Sequence, residues 1–331
     1  MKIKINKTRT GKTLKSTSFE SLKKEIHKAI VGQDNVIEML LVTIIAGGHA
    51  LIEGVPGLAK TLLINSLART LSLSFNRIQF TPDLVPSDIT GTEILDFNRD
   101  SGKDFRFVKG PIFSNILLAD EINRTPPKTQ SALLQAMQEK RVTILGRTYD
   151  IEEPFYVFAT QNPIEYEGTY PLPEAQLDRF LLYIDINYPA EKEELNIMET
   201  YPSAVESIKP VINRKEINEM IQSAEEIPVS DKVKKYILSI TRNSRPQSAA
   251  SSIVKKFVEW GAGPRASQMV LRAAKAHAKL YNKKIVDKED VDSVLVPALK
   301  HRIILNFNAI SEGITAVDVL SELKKEAEVH L

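Results

Sequence analysis

The chemistry of this chain concentrates first in Gly54-Val55-Pro56-Gly57-Leu58-Ala59-Lys60-Thr61. Two glycines followed by Lys and a hydroxyl residue at this spacing make a phosphate-binding loop, provided the segment leaves a strand and opens a helix. The flanks meet that condition. His49-Ala-Leu-Ile-Glu53 reads as a short buried strand, and Lys60 to Leu71 reads as a helix. Small residues let the backbone wrap a phosphate with its N–H groups inward, and the helix N-terminus adds positive field. Lys60 would reach the β- and γ-phosphates, and the Thr61 hydroxyl would hold Mg²⁺. One position departs from the general pattern: Ala59 stands where Gly is usual, and Ala disfavours positive φ.

The second group is Ile116-Leu-Leu-Ala-Asp120-Glu121, an apolar strand ending in adjacent carboxylates. Alone, this is a polar strand end or a helix cap. Sixty residues after Lys60 it reads as the metal and water half of a phosphoryl-transfer site, with Asp120 on Mg²⁺ and Glu121 as general base. The third is Phe158-Ala-Thr-Gln-Asn162, where Asn162 would sit beside the γ-phosphate and the attacking water; by itself Asn-Pro marks only a turn. Other chemistries find no support. The five histidines (27, 49, 277, 301 and 330) lack metal-ligand spacing, there is no cysteine, and nothing matches a serine nucleophile elbow. The aromatic residues form no platform for single-stranded nucleic acid.

These residues need a scaffold. Arg77-Ile-Gln-Phe80, Asn115 to Ala119, Phe155 to Thr160 and Phe180 to Asp185 read as further strands separated by helical segments. Alternation of that kind predicts a parallel sheet covered on both faces. A helix is expected from the turn marked by Phe19, Leu22, Ile26 and Ile30, another from Asn35 to Ala46, and a third opening at Thr125-Pro126-Pro127 with Thr125 as N-cap. Residues 94–113 and 141–154 interrupt the rhythm, each with hairpin signals, and read as insertions. After Pro189 the pattern is helical: near 191–199, 215–224, 231–243, 251–260, 265–282 and 288–304, with Asp287 as an N-cap and 243–252 as a loop. The expected organisation is a basic flexible arm (1–17), an α/β nucleotide-binding domain (18–189) and an α-helical lid (190–331). Trp260 reads as a core or lid residue rather than a ligand contact.

Composition bounds the function. Of 331 residues 43% are hydrophobic and 26% charged, ordinary for a globular chain and enough for two domains. Lys+Arg 44 against Asp+Glu 42 gives +2, which argues against a nucleic-acid packer although the arm carries six Lys/Arg and no acid. No apolar run reaches the roughly 18 residues of a membrane span, and the N-terminus lacks the apolar stretch of a signal peptide. The expected location is the cytoplasm.

The motifs together resemble those of the AAA+ ATPases and, within them, the MoxR family. Gly54 to Thr61 resembles that family's own Walker A, Ala59 included. Asp120-Glu121-Ile-Asn-Arg124 resembles its Walker B, Ala159 to Pro163 its sensor 1, Pro173-Glu-Ala-Gln-Leu-Asp-Arg-Phe180 its arginine-finger segment, and Gly263-Pro-Arg-Ala-Ser267 its sensor 2. Val31-Gly32-Gln33 resembles the segment lying against adenine. The two insertions resemble the helix-2 insert and pre-sensor hairpin of the same clade. The resemblance spans about residues 19–302. It implies ATP and Mg²⁺ as ligands, with nucleotide contacts from Val31, Gly32 and Gln33, from Gly54 through Leu62, and from Arg265. It implies that Arg179 completes a neighbouring subunit's site, and that Arg265 touches nucleotide from the lid so that lid closure follows occupancy. It also implies a ring, commonly a hexamer, and a chaperone-like role with a partner carrying a von Willebrand A domain. The reading is therefore an Mg-dependent ATPase catalysed by Lys60, Glu121, Asn162 and Arg179. A nucleic-acid-stimulated motor and a nucleotide-gated scaffold with little turnover are its alternatives.

Overall fold

A computed structural model describes residues 19–98, 102–164 and 168–329, so the basic arm lies outside the described residues. Helices α1 (Phe19–Ile26) and α2 (Asp34–Ile45) precede β1 (Ala50–Glu53). Then come α3 (Lys60–Thr70), β2 (Phe75–Gln79), the short α4 (Pro86–Thr90), and an antiparallel hairpin of β3 (Gly91–Asn98) and β4 (Gly102–Lys109). Strand β5 (Ile116–Asp120) and α5 (Pro127–Glu139) lead to a second hairpin, β6 (Arg141–Ile144) and β7 (Arg147–Asp150). Strand β8 (Tyr156–Gln161), α6 (Glu174–Leu177) and β9 (Leu182–Asp185) complete the α/β part.

The sheet order is β2-β5-β8-β1-β9, and every neighbouring pair is parallel. The apolar runs of β5 and β8 follow from burial on both faces. One face packs Leu51, Leu117, Ala119 and Val157 against Leu133, Leu134 and Met137 of α5. The other packs Ile52, Leu118 and Phe158 against α2 and α3, and its core continues into the helical region. Parallel pairing puts all five C-terminal strand ends on one edge. That edge carries Gln79, Asp120, Gln161 and the start of the Gly54 loop. The opposite edge carries His49, Asn115, Phe155 and Leu181.

The C-terminal region comprises α7 (Glu191–Glu199), α8 (Arg214–Glu225), α9 (Asp231–Asn243), α10 (Ser252–Phe257), β10 (Val258–Trp260), α11 (Pro264–Leu280), α12 (Lys288–Leu299), β11 (Ile304–Leu305), α13 (Phe307–Glu312) and α14 (Ala316–Val329). Asp287 caps α12 as expected, accepting from the Asp290 N–H at 3.1 Å. A buried charge cluster fastens this region to the α/β part. His277 of α11 contacts Asp290 of α12 through Nδ1 (2.7 Å) and Glu38 of α2 through Nε2 (2.9 Å). Tyr281 donates to the same Glu38 oxygen at 2.9 Å.

Several sequence expectations are corrected. The first helix stops at Ile26; Ile30 is buried but lies beyond it. Helix α5 is capped by Pro126, whereas Thr125 turns its hydroxyl toward the Leu84 carbonyl at 3.5 Å. The first insertion begins at Gly91, where φ is +91° and an added Cβ would meet the Val108 carbonyl at 2.2 Å. The helix expected over 251–260 ends at Phe257, because Val258 and Trp260 pair with β11. The helix expected over 288–304 ends at Leu299, and α13 and α14 lie beyond the predicted helices. Trp260 is 61% exposed on β10 and is not a core residue.

Candidate active site

The phosphate-binding loop takes its shape from three small residues. Gly54 has no room for a side chain, since a Cβ would lie 2.8 Å from the Ile186 carbonyl. Gly57 has open space around it but φ +87°, so conformation requires glycine there. Ala59 is held left-handed (φ 53°, ψ 26°) as the N-cap residue of α3. The departure noted in the sequence therefore carries strain of about 1 kcal/mol at the turn into the helix. The Lys60 ammonium donates to the carbonyls of Gly54 (2.5 Å) and Val55 (3.4 Å). Burial pushes its pKa down, opposed by the charges of Asp120, Glu121 and Glu53.

A cavity of about 660 Å³ opens beside the loop, a size that suits a nucleotide. Val31, Gln33, Pro56, Gly57, Leu58, Ala59 and Leu62 line it. Gly32 (φ +66°) does not; it sits against the Glu193 carboxylate. Gly54, Val55, Lys60 and Thr61 are also outside the lining, Gly54 and Val55 holding Lys60 instead. The far wall is Tyr188, Ile197, Met198 and Tyr201, in and around α7. None of these four stands out in the sequence as a ligand contact. Helix α7 buries none of its residues, and its apolar side chains are the usable signal.

At the C-terminal ends of β5 and β8 the carboxylates are tightly fixed. Asp120 is buried; its Oδ1 accepts from the Thr160 hydroxyl (2.6 Å), and its Oδ2 from Arg77 Nε (3.1 Å) and Nη2 (2.7 Å). Glu121 is left-handed (φ 57°), its N–H donating to Thr160 Oγ1 at 2.8 Å. Glu121 Oε2 accepts from Gln79 Nε2 (2.7 Å) and Arg124 Nη1 (3.1 Å). Arg77, Gln79 and Thr160 were missed in the sequence. Alternation along β2 puts Arg77 and Gln79 on one face beside β5, which was the available signal. Asn162 is buried. Its Oδ1 accepts from the Ile164 N–H at 3.2 Å, while its Nδ2 has no partner among the described residues. A buried amide donor left open at the strand end fits a ligand oxygen or water.

Hard oxygen donors suited to Mg²⁺ are present in Thr61 and Asp120, the latter now held by Arg77 and Thr160. Thr61 and Asp120 would hold the ion, which would neutralise charge building on the phosphate oxygens. No group of three or more His, Asp or Glu among the described residues could hold an ion alone, so phosphate and water would supply its remaining ligands.

Arg179 and Arg265 lie elsewhere. They line a separate pocket of about 290 Å³ with Lys140, Arg272, Gly47 and His49, at the N-terminal edge of the sheet. Arg179 Nη1 donates to the Leu134 carbonyl at 2.7 Å, and Arg265 Nη1 is 3.6 Å from Asp178 Oδ2. Arg265, expected to touch nucleotide from the lid, shares no cavity with the phosphate loop of its own chain. Strand β1 alone, four residues long, puts about 13 Å between the two edges. His49 in this pocket is structural. Burial lowers its pKa to about 4, and as a neutral ring it accepts from the Val157 N–H (3.0 Å) and faces the Met137 carbonyl (3.2 Å). The hairpin arginines 141 and 147 lie within ion-pair distance of Glu139 and Glu93.

Residues 49–182 match the family model described as ATPase family associated with various cellular activities, and residues 250–323 match the AAA lid domain. The chain is 42% identical to Chaperone MoxR1 of Mycobacterium tuberculosis over 300 residues, covering 90% of this chain and 79% of that protein. It is 40% identical to the uncharacterized protein YeaC of Bacillus subtilis over 306 residues, 92% of each. A crystal structure of a candidate ATPase from Cytophaga hutchinsonii superimposes with a TM-score of 0.85 at 42% identity, covering 94% of both chains. No helix among the described residues is long and apolar enough to cross a membrane.

Proposed function

The chain belongs to the MoxR family of AAA+ ATPases, and on that premise we propose that it hydrolyses ATP at sites shared between subunits of a ring. The observation that carries this is the division of the catalytic groups between two edges of one sheet. Lys60, Asp120, Glu121 and Asn162 occupy the C-terminal edge; Arg179 and Arg265 occupy the N-terminal edge beside a different pocket. In this arrangement a chain's own arginines lie at the sheet edge opposite its phosphate loop. A second chain, packed head to tail, can present them.

In this reading the loop N–H groups and Lys60 bind the phosphates. Lys60 exchanges the carbonyls of Gly54 and Val55 for phosphate oxygens. Thr61 and Asp120, the latter released from Arg77, would hold Mg²⁺, which would neutralise charge on the phosphates. Glu121 leaves Gln79 and Arg124 to take a proton from water, and the open Nδ2 of Asn162 orients that water or the γ-phosphate. Arg179 of the neighbouring subunit stabilises the charge that develops on transfer, with Arg265 beside it. The apolar wall from Tyr188 to Tyr201 faces the base. The domains divide near Pro189, and hydrolysis changes the angle between them. The family resemblance supports a hexamer in the cytoplasm. It also supports remodelling of a protein client, a role in keeping with the chaperone name of one relative, together with a von Willebrand A partner.

The test is steady-state hydrolysis against protein concentration, with Arg179→Ala and Glu121→Gln beside the unmodified chain. Specific activity should rise with concentration and collapse in both variants. Activity flat with concentration and indifferent to Arg179→Ala would remove the shared site.

A further inference from the structure

Arg302 is a buried cation outside the catalytic constellation. It ends the single 3-10 turn, Lys300–Arg302, that follows α12, and its side chain is 4% exposed. Its guanidinium has five N–H donors, and all five find acceptors. Nε donates to Asp178 Oδ1 (2.7 Å), and Nη2 to the carbonyls of Asp178 (3.1 Å) and Phe180 (2.8 Å). Nη1 donates to the carbonyls of Leu181 (3.4 Å) and Ala298. The preceding His301 is also turned onto the Phe180 carbonyl, 3.2 Å from Nε2.

Four of those acceptors belong to residues 178–181. The carbonyls of Asp178 and Phe180 stand on either side of Arg179, so the backbone that carries Arg179 is gripped from both ends. The second carboxylate oxygen of Asp178 faces Arg265 Nη1 at 3.6 Å. One carboxylate thus joins the buried Arg302 to Arg265, and its own backbone carries Arg179. The planar fork of arginine is what allows one side chain to meet this set of acceptors; a lysine ammonium has three donors and no fork.

We propose that Arg302, acting through Asp178, is a positioning residue that presents Arg179 and Arg265 as one rigid unit to the adjacent subunit's nucleotide. This rests on the reading that those arginines act between subunits. The bracket also links the helical region to the finger: Arg302 follows α12, whereas residues 178–181 precede β9. A displacement of α12 is therefore transmitted to Arg179.

The experiment uses the full chain with Arg302→Lys and, as a milder second variant, Asp178→Asn. Hydrolysis kcat and KM, and the Kd of a fluorescent ATP analogue, are measured for each. Loss of alignment should lower kcat by about 100-fold while Kd for the analogue stays within about twofold, because the phosphate loop lies at the other edge of the sheet. Each variant is then mixed with Glu121→Gln chains, which have an intact bracket and no catalytic base. Mixed assemblies should hydrolyse ATP faster than either parent. Wild-type kcat in both variants would overturn the proposal. So would joint loss of kcat and nucleotide binding without recovery on mixing, which marks a purely structural role. If Arg302→Lys does not fold, Asp178→Asn decides by the same criteria. A parallel mixture of Arg179→Ala with Glu121→Gln separates the levels: no recovery there refutes the inter-subunit reading itself, whereas recovery there with unaffected bracket variants refutes only the role of Arg302.

Discussion

The buried cluster of Glu38, His277 and Asp290 should make the stability of this protein fall in mild alkali. Two carboxylates hold the His277 imidazolium, and despite the opposing effect of burial they raise its pKa to about 9 from an ordinary 6.5. Because the folded value lies above the unfolded one, the stabilisation is complete below pH 6.5 and is lost as pH rises through 9. A difference of about 2.5 pKa units corresponds to about 3 kcal/mol, and the side chain is only 8% exposed, so little of this is screened. The other groups at the cluster do not titrate in that window. Against the opposing effect of burial, hydrogen bonds to His277 hold Glu38 and Asp290 below their usual values, and Asp287 and Asp290 raise Lys283. The Tyr281 hydroxyl is pushed up to about 12, mainly by burial and then by Glu38. The assay is thermal unfolding followed by circular dichroism between pH 7.5 and 9.5, on the unmodified chain and on His277→Gln; the window starts above the range in which the buried, neutral His49 and His301 add stability with rising pH. Of the full amount, about 2 kcal/mol is lost between pH 7.5 and 9.5, so at about 2–4 °C per kcal/mol the unmodified chain should lose about 4–8 °C across the window. The variant should start lower and run nearly flat, so the two curves converge near pH 9.5. An equal alkaline slope in both proteins would refute the reasoning.

Two further outcomes follow from the catalytic edge. Asn162→Leu removes a buried amide donor left open among the described residues and, with Oδ1, the acceptor of the Ile164 N–H, so thermal stability should change by no more than about 1 kcal/mol while kcat falls by about 100-fold, measured with nucleotide affinity unchanged. Lys60→Met should weaken binding of a fluorescent ATP analogue about 10- to 100-fold, the worth of a charge-assisted phosphate contact, without disturbing the unfolding curve by more than a few degrees.

The strand ends that carry the candidate site were legible in the sequence because its parts are local. A mostly apolar strand of four to six residues ends, and the candidate group is the next residue: Gly54 after β1, Glu121 after Asp120, Asn162 after Gln161. Ala59 is instructive, since the rule that alanine avoids positive φ holds as a cost and not as a prohibition. What escaped reading depends on contacts between distant segments. Arg77 meets Asp120 only because β2 pairs with β5 in that register. Val258-Glu-Trp260 leaves the expected helix because a partner strand arrives from residue 304. Helix α14 was a different failure: Val319, Leu323 and Ala327 are buried at helical spacing, and that pattern was there to be read. The edge on which Arg265 lies could not be read locally, because it is set by the packing of α11 on α2 and α8 and by the Asp178 bracket.

The central claim is that each site is built from two chains, and mixing two inactive proteins tests it most directly. Arg179→Ala supplies an intact phosphate loop and no finger; Glu121→Gln supplies a finger and no base. In a head-to-tail ring assembled at random from equal amounts, about one site in four pairs a competent loop with a competent finger. The account predicts that the mixture hydrolyses ATP at about a quarter of the unmodified rate while each parent alone is nearly silent. A mixture no more active than its parents, under conditions where the chains demonstrably co-assemble, would contradict it.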